Sequence, residues 1–438
     1  MKKNIYTTII SFALVLICAS VYAQPEIYPA KKQSQTIRID GATVHIGNGE
    51  YLENATVNFE DGVITYVGST ASAPNAQKII DAKGKHVYPG FISPNTNLGL
   101  VEFEAVKATV DFAEVGDNNA HVRSLIAYNT DSKIINVSRS NGVLIAQITP
   151  QRGLISGQSS IVQFDAWNWE DAVVRADDGM HINWPEMPLW RWGTPSASAM
   201  KKREEANKKQ IQTLVSLIQE AKAYAELSEK DKVVNARLQA FEGIFNGEKK
   251  VFVHVNDAKN IQKAVLTFSD LGITPIIVGG RDAHLVTDLL KQYDVPVLLH
   301  QAHALPSKGH DDVYLTYKQA NLLYEAGVLA AYGIYGADGF WNQRNLPFMA
   351  GTAVAYGLPY EQGVAYVSLN TAKILGIDDV TGSIEVGKQA NLFISNGDAL
   401  DMVGNDIERA FIQGRDIDLN NWHKQLYHRY KEKYEASN

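Results

Sequence analysis

The run Lys250-Val251-Phe252-Val253-His254-Val255, followed by an apolar-periodic stretch at 258–271, opens the part of the chain that decides its fold. Its pattern repeats. A strand at 275–278 precedes a helix at 283–293, a strand at 295–299 precedes a helix at 317–326, and a strand at 328–334 precedes a helix at 346–356. Short, almost uninterrupted apolar strands alternating with helices specify an α/β fold with a parallel sheet buried on both faces. Periodicity does not distinguish an open, doubly wound sheet from a closed barrel.

Upstream the character changes. Residues 36–87 read as short alternating strands, such as Ala42-Thr43-Val44-His45-Ile46 and Val63-Ile64-Thr65-Tyr66-Val67, punctuated by Asn48-Gly49 and Asp61-Gly62. A second strand-rich piece occupies 382–394. A helix near 199–227 carries Ile211, Leu214, Val215, Ile218 and Ala221 on one stripe, its Lys and Glu residues forming a solvated face. The segment 419–438 is polar and expected as a surface helix. The chain has no internal repeat and no low-complexity segment.

With 438 residues the chain can bury a large core, and 45% apolar and 20% charged residues are ordinary for a globular protein. A formal charge of −7 argues against a nucleic-acid partner or a polybasic membrane surface. Lys2 and Lys3 precede an apolar run from Ile9 to Ala19, then Val21-Tyr22-Ala23. This layout predicts a secretory signal peptide over 1–23 cut after Ala23, a polar tail over 24–35, and export, with the periplasm as destination. The apolar run is too short to span a bilayer, and no membrane span is expected in the mature chain. Cys18 is the only cysteine, so no disulfide is expected after cleavage.

The stretch Tyr88-Pro89-Gly90-Phe91-Ile92-Ser93-Pro94-Asn95-Thr96-Asn97-Leu98-Gly99-Leu100 resembles the end of the first barrel strand in the amidohydrolase superfamily. There a Pro-Gly-apolar-Ile run leads into a His-X-His pair. Further markers are Arg344-Asn345-Leu346-Pro347, Leu369-Asn370-Thr371-Ala372-Lys373-Ile374-Leu375-Gly376 and the Gly382 to Leu392 segment. The resemblance runs from about residue 35 to 417 and is similar to the imidazolonepropionase-like branch. It implies a (β/α)8 TIM-like barrel over 88–380, a small β-sandwich from both chain ends over 36–87 and 381–418, and hydrolysis of non-peptide C–N bonds by water activated on zinc or iron.

The resemblance also places the site, and most of it is altered. Asn95 and Asn97 stand where the family has its two first-strand histidines. His254 is retained on the fifth strand, Gly279 stands at the sixth, and Tyr335 occupies the catalytic aspartate position of the eighth. Carboxamides are weak donors for zinc or iron, which favour imidazole, and a catalytic zinc needs about three protein ligands. Tyrosine, with an ordinary pKa of about 10, is a poor base at neutral pH. No cofactor is therefore expected. The primary expectation is a metal-free degenerate member that binds a small-molecule ligand or pairs with an active relative.

Two alternatives remain open: a working hydrolase with a relocated site around His254, His300 and His303, and a purely structural subunit. His300, His303 and Arg344 are candidate ligand contacts. Equally, the histidines could be hydrogen-bonding loop residues, and His254 could simply fill its strand end. The Gly/Ser-rich stretches 152–157 and 157–160 match neither a nucleophile elbow nor a phosphate loop, and are expected as turns. Trp167, Trp169, Trp184, Trp190 and Trp192 crowd the region before 195, where core packing, a lid, a ligand-stacking surface or a protein interface would each account for them.

Overall fold

The structure is a computed structural model and describes residues 27–187, 195–228, 230–335 and 339–436. The signal-peptide segment, Trp190 and Trp192 lie outside the described residues. Two eight-stranded sheets organise the molecule.

The first sheet uses both ends of the chain. Strands β1 (Ile37–His45), β2 (Tyr51–Glu60), β3 (Val63–Ser69), β4 (Lys78–Asp81) and β5 (His86–Pro89) come from the N-terminal part. The last three strands of the chain, β14 (Leu392–Ser395), β15 (Ile407–Ile412) and β16 (Arg415–Ile417), complete it. The ends meet where β14 runs antiparallel to β5, with Phe393 opposite Tyr88. The sheet curls on itself: Phe59 of β2 and Phe411 of β15, which are not neighbouring strands, pack edge to face at 5.1 Å. The inward-facing Ile39, Val57, Ile64 and Leu392 close this small core.

The second sheet is the barrel wall. Its strands are β6 (Phe91–Thr96), β7 (Val143–Ile148), β8 (Ile155–Gln163), β9 (Val173–Asn183), β10 (Lys250–Val255), β11 (Pro275–Gly279), β12 (Val297–Leu299) and β13 (Ala330–Tyr332), paired in chain order. In β10, Val251, Phe252, Val253 and Val255 are all buried, as their continuous apolar run requires. Burying each such side chain stabilises by about 1.5–3 kcal/mol. No ladder joins β13 to β6 among the described residues. The wall nearly closes there, and the Leu369–Leu375 helix packs on both edge strands.

One strand departs from the expected (β/α)8 pattern. Strand β8 is antiparallel to both β7 and β9, while the other neighbouring pairs are parallel. Only six residues link Ile148 to Ile155, whereas a parallel crossover needs about a dozen. Arg152 (φ 71°) and Gly153 (φ 75°) take consecutive left-handed conformations that reverse the chain. The Gly157 to Ser160 stretch, expected as a turn, is therefore the middle of a wholly buried strand.

The long helix spans Ala197–Ala225 and buries Leu214, Ile218, Ala221 and Tyr224, with Ile211 and Val215 partly covered. The helix expected over 283–293 is a short 3-10 turn followed by Thr287–Gln292. The C-terminal helix, Trp422–Glu435, has no buried residue. Trp184 is core, Trp169 is partly covered and Trp167 is exposed. No helix among the described residues is long and apolar enough to cross a membrane.

Candidate functional site

Parallel barrel strands deliver their C-terminal ends to one face, where enzymes of this architecture assemble their chemistry. Asn95 and Asn97 lie at the end of β6, buried to 3% and 0% exposure. Asn95 sits in the left-handed region (φ 51°), and its backbone N–H donates to Gln147 Oε1 at 3.1 Å. Neither polar atom of the Asn97 amide has a hydrogen-bond partner.

His254, at the end of β10, meets His181 of β9: His181 Nδ1 and His254 Nε2 are 3.0 Å apart. A neutral imidazole has one donor and one acceptor nitrogen, so Nε2 of His254 is engaged whichever ring donates. His181 is fully buried and stacks flat on Phe252, with centroids 4.6 Å apart and planes 2° apart. Burial pulls His254 down to about 4 and holds His181 well below the ordinary histidine value, the nearby His254 adding to it. Both rings are neutral at pH 7.

Gly279 and Tyr335 are coupled. The Tyr335 hydroxyl donates to the Leu298 carbonyl at 2.6 Å and accepts the Gly279 N–H at 3.2 Å. Its ring therefore reaches from the end of the eighth strand to the ends of the sixth and seventh. The ring stacks on His300, with centroids 4.7 Å apart and planes 22° apart. It also crowds Gly333, where a Cβ would come within 2.6 Å of it. Desolvation pushes the Tyr335 pKa far above the ordinary tyrosine value, against the opposing Gly279 hydrogen bond, so the phenol stays protonated. A side chain at Gly279 would need a Cβ 2.6 Å from Asn256 Oδ1, on a backbone with φ 98°. A histidine does not fit there without rearrangement.

His300 keeps accessible surface, yet protein crowds it enough that desolvation lowers its pKa to about 4. His303 goes elsewhere. Its Nε2 lies 2.7 Å from Thr352 Oγ1. The Thr352 hydroxyl donates to the Phe348 carbonyl, so the histidine must donate to Thr352. His303 lines a groove of about 270 Å³ with Phe348, Tyr360, Asp398 and Leu400, and neither His254 nor His300 borders that groove. Arg344 lies over the Trp341 ring at 5.9 Å, and its carbonyl accepts from Asn141. The structure thus groups Tyr335 with Gly279 and His300, and His254 with His181. It does not gather His254, His300 and His303.

Sequence reasoning missed a polar cluster on β7, β8 and β9. Gln147 Nε2 donates to Asp178 Oδ2 at 2.7 Å and to Ser159 Oγ at 3.1 Å, and Ser159 Oγ donates to Asp178 Oδ1 at 2.8 Å. All three are buried, and desolvation raises Asp178 to about 6 despite both hydrogen bonds. The cluster connects to the strand-end residues through Gln147, which holds Asn95. The pattern Gly179-Met180-His181-Ile182-Asn183 was the available signal for β9 and for His181.

These residues do not fit the family's zinc or iron. The resemblance sets two carboxamides where the family has imidazoles; His254 is hydrogen-bonded at Nε2, and the Tyr335 phenol is protonated and tied to the backbone. Among the described residues no group of three or more His, Cys, Asp or Glu could hold a metal ion.

Comparison with known proteins gives the ancestry. The Amidohydrolase family model matches residues 187–417, more than half of the chain, beginning just after β9. Imidazolonepropionases from Bacillus cereus and Bacillus mycoides are 45% and 43% identical over 49 residues. Those 49 residues are 11% of this chain and 12% of each relative's length. An amidohydrolase structure from Thermotoga maritima MSB8 superposes with a TM-score of 0.74 at 24% identity, covering 87% of this chain and 99% of that one. Molinate hydrolase gives 0.55 at 16% identity, covering 90% and 96%. A putative prolidase from Bifidobacterium longum gives 0.52 at 18%, covering 87% and 94%. The chain belongs to the amidohydrolase family.

Proposed function

We propose that this protein is an exported amidohydrolase-family member that has lost metal-dependent hydrolysis of C–N bonds and serves as a small-molecule-binding protein or as the partner of an active relative. The observation that carries this reading is the seat of Tyr335. Where the family's proton-transferring aspartate stands, this chain has a buried phenol whose oxygen is committed to the Leu298 carbonyl and the Gly279 amide. Such a group does not take a proton from water at neutral pH. Asn95 and Asn97 at the preceding ligand positions support the same reading, because amide oxygen is a poor substitute for imidazole toward zinc or iron. His300 and His254 remain as neutral, hydrogen-bonding groups suited to an uncharged ligand. Export rests on the charged, apolar and small-residue succession at the N-terminus. The relocated-histidine alternative is weakened by the turn of His303 toward Thr352.

The test restores what was lost. Asn95→His, Asn97→His and Tyr335→Asp combined should bind Zn²⁺ at least about tenfold more tightly than the natural chain in a calorimetric titration, with a changed proton release, since ligands bind deprotonated. Equal, weak affinity in two well-folded proteins would mean that the strand ends are misassigned. Activity need not return with the metal, because the residues that orient the ligands have also diverged.

A further inference from the structure

A second site lies at the opposite end of the barrel. Where β7 starts and β8 finishes, a cavity of about 460 Å³ opens between the Lys133–Arg139 helix, the 164–167 segment, the N-terminal arm at Ile27 to Pro29, and Trp422 and Gln425 of the C-terminal helix. We propose that this cavity is a saccharide-binding site, with Trp167 as its stacking platform.

Four observations carry the assignment. Trp167 lines the cavity yet is 65% exposed, and its ring centroid lies 6.0 Å from that of Tyr28. Holding a large aromatic face toward water forgoes the burial that usually fixes tryptophan. Its backbone is nonetheless anchored: the Trp167 N–H donates to Asp171 Oδ2 at 3.0 Å, and its carbonyl accepts from Thr130 Oγ1 at 3.3 Å. The main chain that carries the ring is therefore fixed, which lowers the backbone part of the ordering cost of binding.

The charged lining is largely engaged. Arg139 donates through Nη1 to Asp165 Oδ1 (3.1 Å) and the Phe164 carbonyl (3.0 Å) and through Nη2 to Asn136 Oδ1 (2.6 Å), while its buried Nε has no hydrogen-bond partner. Asp165 is spent on Arg139, on Arg415 (3.3 Å) and on the Ala30 N–H (3.0 Å). Of the other charged lining residues, Asp131 and Lys133 carry opposite signs. An aromatic cage for an organic cation is also spoken for, since Lys133 Nζ and the Arg429 guanidinium lie over Trp422 at 5.4 and 5.7 Å.

What remains is the Trp167 face beside the Asp131 carboxylate and the Gln425 carboxamide, with the Lys133 ammonium held over Trp422 at the same rim. A pyranose offers the complement. Its C–H face stacks on an indole, and its vicinal hydroxyls each donate and accept. The volume falls within the range of about 300–1,000 Å³ usual for small-ligand sites.

The test is calorimetric titration of the full mature chain with cellobiose, maltose and diacetylchitobiose, each to about 10 mM, with tetramethylammonium and acetate as the ionic comparison. At least one disaccharide should bind, and Trp167→Ala should weaken it at least about tenfold while leaving the thermal midpoint unchanged, as befits an exposed side chain. Asp131→Asn should weaken binding less. The proposal is overturned if no disaccharide binds, if binding survives Trp167→Ala, or if tetramethylammonium or acetate binds in a Trp167-dependent way.

Discussion

Replacing Tyr335 by phenylalanine removes one oxygen and keeps the ring. The stack on His300 at 4.7 Å is retained, so no cavity of consequence opens. Two groups lose the hydroxyl, the Leu298 carbonyl, which accepts at 2.6 Å, and the Gly279 N–H, which donates at 3.2 Å, while both keep their places in the β11–β12 ladder. A typical intramolecular hydrogen bond contributes about 1 kcal/mol net, and a buried group left unpaired costs about 1–3 kcal/mol. Because both groups stay in the ladder and the Gly279 bond is long, we place the total at about 1–2 kcal/mol. Urea unfolding of the natural chain and Tyr335→Phe should show a lower midpoint with an unchanged slope, the signature of altered stability rather than altered compactness. A loss below about 0.5 kcal/mol would refute the reasoning, since the phenol would then not be pinned to the sixth and seventh strands.

Three further outcomes follow from the same structure. His254 is held near a pKa of about 4 when folded, against 6.5 as its ordinary value. The unfolded chain therefore binds more protons between those values, and stability should fall as pH drops from 6.5 to 4, by up to about 3 kcal/mol from this residue. Unfolding free energies at pH 7 and pH 5 would give a shallower dependence in His254→Asn, and an identical slope would contradict the assignment. Asp178 has the opposite sign: raised to about 6 from 3.8, it holds its proton longer when folded, so its contribution declines as pH rises through that window. Asp178→Asn should accordingly gain about 3 kcal/mol relative to the natural chain between pH 4 and pH 7, and a constant difference would speak against a buried carboxylate whose desolvation outweighs its two hydrogen bonds. The intact mass of protein from its native host should correspond to a chain starting at Gln24, and an uncleaved main species would defeat the export reading.

How far the sequence carries this account depends on the element. Strand β10 and His254 were legible because Val251, Phe252, Val253 and Val255 form an unbroken apolar run at a strand end. The short strands of the first sheet were legible from alternation and from Gly and Asn-Gly turns, and the joining of both chain ends from the family resemblance. Strand β8 was not. Gly157, Gln158, Ser159 and Ser160 look like loop chemistry, yet all are buried, and Ser159 is paid for by Asp178 and Gln147 on neighbouring strands. Propensity cannot see partners so distant in sequence. The same blindness hid His181, which matters only because β9 lies beside β10 in register. His303 was placed near His254 because it follows β12 closely, but loop direction is set by tertiary contacts, here Thr352 of a later helix. The places of Asn95, Asn97, Gly279 and Tyr335 at or just past strand ends could be read in advance. The way Tyr335 spans the strand ends could not.

The most direct test of the central claim is elemental analysis of the natural protein after dialysis, by mass spectrometry, for zinc, iron and manganese. The account predicts well below one equivalent of each per chain, because two carboxamides, an engaged imidazole and a pinned phenol do not make a transition-metal site. One tightly held metal per chain, lost on His254→Ala or His181→Ala, would contradict it and return the protein to the working hydrolases of its family.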